Sequence, residues 1–390
     1  MSDQVQEVSS QGWLSRIGES IKGLLFGGVL FLASFPLLWW NEGRAVQTYK
    51  SLQEGRGAVV SVQAEKVDAA NEGRLVHLSG LATTQETLTD PLFAMTAQAI
   101  RLNRKAETFQ WAEEKKSEKR KKLGGGEETI NTYSYSKQWS EKAITSSDFK
   151  EPSGHANPES LPYASESWQA QEVKVGSFQL SESLTRDIRR AVELPFTQAG
   201  LDALPGEVKA KAKLQGAMLY LGADPSTPRV GDVRISFNKV PPADVSVVAR
   251  QLGSRLGPYQ TKAGDSLELL EAGVVAADVM FKSAERANTV LTWGLRLVGY
   301  LVMMFGVLLL LRPIRVVADV VPFFGTLVGM GLGLIAFAVA TPLTLLTVAM
   351  AWIAHRPALG VSLVLLACVT FGWLFARFAR QRRLTPASVR

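Results

Sequence analysis

Few side chains in this sequence could carry covalent or acid–base chemistry: three histidines, His77, His155 and His355, and one cysteine, Cys368, in 390 residues. A histidine beside a hydroxyl and a carboxylate would suit nucleophilic hydrolysis. The grouping of that kind along the chain is Asp148, Ser153 and His155, in a loop rich in Pro, Gly and Ser. A triad is defined by geometry, however, and His155-Ala156-Asn157-Pro158 reads first as a turn. A hydrolase centred on His155 is therefore the least of three function classes. His-Glu-x-x-His, Gly-Lys and Gly-x-Ser-x-Gly are absent, which removes the zincin, P-loop and nucleophile-elbow signatures. One cysteine forbids an intrachain disulfide, and the few His and Cys give no zinc cluster or haem attachment. The reading is of a chain that is not an enzyme and holds no cofactor and no metal.

Other polar residues recur in patterns that suit contacts rather than catalysis. Asn-Glu-Gly-Arg occurs twice, as Asn41-Glu42-Gly43-Arg44 and Asn71-Glu72-Gly73-Arg74, and its glycine suits the positive φ of a type II or I′ turn. His77, His155, Asn157, Asp232, Arg234 and Asp265 join these as candidates for turns or partner contact. The charge balance, 43 Lys+Arg against 36 Asp+Glu for a net of +7, is too even for a dedicated nucleic-acid binder.

These residues are strung between strongly apolar ends. Residues 23–40 carry no charge, and at 1.5 Å per residue they cover about 27 Å, close to the hydrocarbon thickness of a bilayer. The run ends on Trp39 and Trp40 without a cleavage motif, so it reads as an anchor rather than a signal peptide. Residues 291–311 form a second span, with Arg296 able to snorkel to the interface. Residues 322–354 form a third, kinked at Pro342, where the ring removes a backbone hydrogen bond. Residues 358–376 form a fourth. Arg312 and Arg315 in the loop 312–321, and the arginines of the tail 377–390, place both segments in the cytoplasm. The N-terminus, 1–22, then shares that side, and residues 41–290 lie opposite. No charge lies deep in a span, which disfavours an ion-coupled carrier; a channel would need several copies.

Glycines at helical spacing allow close packing of helices, within the chain or between copies: Gly23 and Gly27 in the first span, Gly325, Gly329 and Gly333 in the third. Residues 275–292 are amphipathic, with Met280 on the apolar side, and offer a second surface for self-association or lipid.

The intervening domain should be α+β and strand-rich. Phe109 and Trp111 alternate with polar residues, as do Tyr133, Tyr135 and Trp139, and the basic, Gly-rich stretch 118–126 between them suits a solvated hairpin tip. Centring the turn on Leu123 sets Trp111 opposite Tyr135, and a slip of two would keep all five aromatics on one face. Residues 181–194 have capping residues and then Leu184, Ile188, Ala191 and Val192 at helical spacing.

At this level of detail the chain resembles the transmembrane protein 43 family, also called LUMA. The resemblance rests on Asn41-Glu42-Gly43-Arg44-Ala45, Asn71-Glu72-Gly73-Arg74-Leu75-Val76-His77, Gly154-His155 with Asn157-Pro158, and Val230-Gly231-Asp232-Val233-Arg234. Thr292-Trp293-Gly294-Leu295-Arg296 and Val339-Ala340-Thr341 extend it in collinear order. It implies a four-span membrane protein with a large lumenal domain, acting as a self-associating organiser rather than an enzyme. Animal members are implied to work in the endoplasmic reticulum and inner nuclear membrane. The basic loop and Pro342 depart from the animal pattern and favour a bacterial member in the cytoplasmic membrane, with a periplasmic domain. The expected partners are a second copy of the chain, membrane lipids and an unidentified membrane or extracytoplasmic protein, with no nucleic acid.

Overall fold

The structure, a computed structural model, describes residues 4–320 and 322–356, the side chains of 322–326 apart. The expected span 358–376, Cys368 and the tail 377–390 lie outside the described residues. In chain order, the elements that position the site are β1 (Gln4–Gln11), α1 (Trp13–Ala58), β2 (Leu75–Thr83), β3 (Arg101–Lys121), β4 (Glu127–Ser140), β5 (Val233–Val240), β6 (Ala243–Leu252), β7 (Leu269–Ala272), α2 (Ala277–Leu310), α3 (Arg312–Ala318) and α4 (Pro322–His355). They divide into two compact units, one of residues 1–10, 51–120 and 128–284, the other of 11–50, 121–127 and 285–390.

The first unit is the α+β domain. One sheet has eight strands and runs β1, β4, β3, β5 and then Met218–Leu221 and Ala212–Gln215, with two short strands pairing β3 and β5 from the side. A second sheet has seven strands, and its β2–β6 pairing closes the path β6, Arg255–Gly257, Phe178–Gln179, Lys174–Val175, β2 back on itself. Closure removes free edges from most of these strands. Alternation fills the core: Val233, Ile235 and Phe237 of β5 and Val245, Val247 and Ala249 of β6 are buried, as β-period side chains on one face must be. A second cluster joins Leu52, Leu75, Val248 and Leu267 to Met280 and Phe281. Met280 is thus a core residue, 1% exposed, and not part of an open association face.

The hairpin expected around Trp111 and Tyr135 is present as β3 and β4. Phe109 lies against Trp139 at 5.0 Å, Lys137 lies over Trp111 at 4.5 Å, Glu113 bonds Tyr135, and Ser117 bonds Asn131. All four pairs share one register, displaced by two residues from a turn centred on Leu123, so the aromatics keep a common face. The expected helix at 181–194 is shorter: Glu182–Asp187, capped by Ser181, gives way to a strand at Val192–Leu194 that pairs with β5.

One pairing was not anticipated. β1 is the neighbour of β4, and Glu7 meets Lys150 at 2.6 Å and Tyr133 at 3.1 Å. The pairing sets residues 4–11 beside 127–140, which the sequence reading had assigned to the separate segments 1–22 and 41–290. Five of the eight β1 residues are Gln or Ser, so the strand carries no apolar signature; it is added by backbone bonds and ion pairing.

The second unit is helical. Among the described residues three helices are long and apolar enough to cross a membrane: α1, α2 and Leu327–His355 within α4. α1 continues through Pro36 and α4 through Pro342. α1 and α2 approach closely where Gly27 faces Gly306: a Cβ on Gly27 would stand 2.9 Å from the Gly306 carbonyl oxygen, and one on Gly306 2.7 Å from the Phe31 nitrogen. Gly27 therefore serves packing within the chain. Gly23 and Gly329 face the arginines Arg312 and Arg315, a Cβ on Gly333 would have nothing within 4 Å among the described residues, and the side of Gly325 lies outside them.

Candidate functional site

The first Asn-Glu-Gly-Arg is helical, not a turn. α1 extends eighteen residues past Trp40, and the tetrapeptide lies inside it. A helix can carry such side chains in its buried face only if they find partners, and here Asn41, Glu42 and Arg44 all do, the buried Nε of Arg44 apart. The Glu42 carboxylate, 1% exposed, accepts from Arg296 Nε at 2.6 Å and Nη2 at 2.8 Å, one oxygen each, and from Trp352 Nε1 at 2.7 Å. The Arg296 guanidinium lies 4.6 Å from the Trp293 ring centre and 5.5 Å from that of Trp352. A bidentate, charge-assisted pair between two aromatic faces is the strongest form of this contact, and it joins α1, α2 and α4 at one point.

The flanking residues extend the clamp. Asn41 Nδ2 donates to the Thr292 carbonyl at 3.1 Å, and Arg44 donates to Asn288 Oδ1 and Thr292 Oγ1, both at 2.9 Å. Asn288 Nδ2 returns a bond to the Ala45 carbonyl at 3.0 Å. Gly43 makes room for His355: a Cβ there would stand 3.0 Å from the imidazole, whose Nε2 is buried with no hydrogen-bond partner among the described residues. The cluster binds three helices together and holds no nucleophile beside a base. Arg296 was legible in the sequence as a snorkelling residue, but the i, i+4 series Asn288, Thr292, Arg296 on α2 was the signal for its true role, a polar stripe facing α1.

A second ionic cluster in this unit was missed. Asp319, 1% exposed, is held by Arg16 Nη2 at 2.6 Å and by Lys121 Nζ, while Arg16 also donates to the Gly125 carbonyl and reaches Glu127 at 3.4 Å. Burial alone would raise the Asp319 carboxyl; the bonds from Lys121 and Arg16 outweigh it and hold the group below its ordinary value. Lys121 of the basic stretch is thus paired rather than solvated.

The other candidates separate into local structural roles. The second Asn-Glu-Gly-Arg is the turn expected: Gly73 has φ +74, its N–H donates to Gln251 O at 2.9 Å, Asn71 Oδ1 accepts from Arg74, and Glu72 accepts from Gly253 N at 2.7 Å. His77 bonds the Val275 carbonyl at 2.9 Å and Ser61 at 3.3 Å. His155, 3% exposed, bonds the Glu151 carbonyl at 2.8 Å, stacks on Tyr135 at 3.9 Å and meets the edge of Trp111 at 4.7 Å. Asn157 exchanges bonds with the Trp111 backbone and donates to the Ile144 carbonyl, which fixes the loop to β3. Asp232 accepts from Tyr220 Oη at 2.5 Å, Arg234 donates to Glu107 at 2.7 Å, and the Asp265 backbone closes a turn with Thr261. Burial, reinforced by Asp232, raises the Tyr220 phenol. Burial would raise Glu107, but Arg234 and Lys105 hold it lowered. Among the described residues no group of three His, Cys, Asp or Glu could hold a metal ion.

A family model described as Transmembrane protein 43 matches residues 108–357. Transmembrane protein 43 of Rattus norvegicus is 37% identical over 369 residues, covering 92% of this chain and 90% of the relative. The Homo sapiens protein is 36% identical over 365 residues, covering 91% and 90%, and the Drosophila melanogaster homolog 32% over 371, covering 92% and 96%. No solved structure matches.

Proposed function

Since the chain belongs to the transmembrane protein 43 family, we propose that it is a non-enzymatic, self-associating membrane scaffold whose large α+β domain binds a partner or senses the state of the envelope. One observation carries the reading. The residues that the motifs single out serve intrachain bonds, while among the described residues an outer face of α4 stays open: Leu334, Ile335 and Phe337 are 72%, 49% and 56% exposed around a Gly333 that no described residue approaches. Lipid can cover such a face, but an open glycine there lets a second helix backbone come close, where dispersion decides association. The occupant proposed for this face is a second copy.

Gly333→Cys, in a Cys368→Ser background, should cross-link between copies in membranes, whereas Gly306→Cys, buried inside the α1–α2 crossing, should not. Equal yields at both positions, or none at Gly333, would contradict the reading. The buried hydroxyls of Tyr300 and Thr341, which have no hydrogen-bond partner among the described residues, favour a second reading, a channel formed by several copies. Conductance of reconstituted protein, lost in Tyr300→Phe with Thr341→Val, would establish that one instead.

A further inference from the structure

Lys22, Arg312 and Arg315 stand exposed where α1 begins its apolar course and α3 joins α2 to α4, and none of them has a carboxylate partner among the described residues. Asp319, four residues beyond Arg315 in the chain, is already held by Arg16 and Lys121 and is closed to solvent. Glu19, exposed and one turn before Lys22 on α1, can offset that lysine, which leaves the two arginines as the unpaired charge here. The two arginines are also seated. Arg312 lies over Gly23, its Nη1 3.5 Å and Cδ 3.7 Å from where a Cβ would be, and Arg315 lies over Gly329 with Nε at 2.9 Å. A side chain at Gly329 would displace the guanidinium, and a long one at Gly23 would do the same. Two of the glycines read as helix-packing positions thus serve as recesses for arginine stems.

Arg312 and Arg315 are three residues apart on one helix and so neighbours on its surface, with Arg312 reaching towards Gly23 of α1 and Arg315 towards Gly329 of α4. Planar forks with several N–H donors match phosphate oxygens two at a time. Apolar side chains border the cations: Leu25 is 69% exposed, Ile314 53% and Val317 54%. A free phosphate would leave that apolar border in water, whereas a phospholipid would lay its acyl chains against it. We propose that Lys22, Arg312 and Arg315 form a site for the phosphate headgroup of an anionic phospholipid, with the glycine recesses fixing the arginines.

The test is lipid binding by the full chain in mild detergent, measured by native mass spectrometry with added phosphatidylglycerol, phosphatidylcholine or inorganic phosphate. The wild type should retain phosphatidylglycerol roughly tenfold over phosphatidylcholine, given the attraction of clustered Lys and Arg for anionic lipid. Arg312→Ala with Arg315→Ala, on an exposed helix, should abolish the preference, and Arg286→Ala, elsewhere in the unit, should keep it. Gly23→Leu with Gly329→Leu conserves every charge and should still lose it, which a diffuse surface field would not. No preference in the wild type, a preference surviving the double arginine variant, or one surviving the glycine variant overturns the site. Displacement of the lipid by equimolar inorganic phosphate overturns the assignment to a phospholipid.

Discussion

At the scale of single residues, Glu42 is the most consequential side chain outside the domain. Its two oxygens are matched to two donors of Arg296 and one of Trp352, so neutralising it leaves a guanidinium, only 15% exposed, without its counter-charge. Glu42→Gln should destabilise the helical unit by about 3 kcal/mol, and Glu42→Gln with Arg296→Gln should recover part of that, because breaking a buried pair costs more than replacing it. Thermal unfolding in detergent reads both, and a double variant weaker than the sum of the single ones would contradict the coupling. In the domain, burial and then the Glu113 carboxylate push the Tyr135 phenol from 10 up to about 12. A raised phenol holds its proton more tightly when folded, so its contribution is whole below pH 10 and is lost as pH rises through about 12. The stability difference between wild type and Tyr135→Phe should shrink over that window. A difference that does not change with pH would show the hydroxyl to be unimportant.

At the scale of elements, the two copies of Asn-Glu-Gly-Arg show what local sequence can and cannot carry. The same four residues form a turn at 71–74, where Gly73 takes positive φ, and a helix at 41–44, where Asn288, Thr292, Arg296 and Trp352 supply partners. Turn propensity decided the first; tertiary contacts more than 240 residues away decided the second. The hairpin was legible because Phe109, Trp111, Tyr133, Tyr135 and Trp139 alternate at the β period. Its register was not, since the Gly-rich tip admits slips of two that leave the pattern intact. β1 was invisible for the opposite reason, having backbone to pair but no apolar face to announce it. Its pairing with β4 makes a sharp statement about sides: cysteines placed at Ser10 and at Thr132, with Cys368 replaced, should react with a membrane-impermeant reagent from the same side. Labelling from opposite sides would rule the pairing out.

At the scale of the whole molecule, the apolar runs were the strongest signal, and three of the four helices they announced are, among the described residues, apolar and long enough to cross a membrane. The glycine spacing was equally visible, yet its uses diverged: Gly27 serves an intrachain crossing, Gly23 and Gly329 seat arginines, and Gly333 remains open. Only the last is left open for the association surface proposed above, which a pattern of spacing could not distinguish from the others. Self-association is the claim on which the proposed scaffold depends. It is tested most directly by the mass of the purified full chain, in mild detergent and again in lipid. The account predicts more than one chain in both media, with the assembly broken by Gly333→Leu; a single chain in both would contradict it.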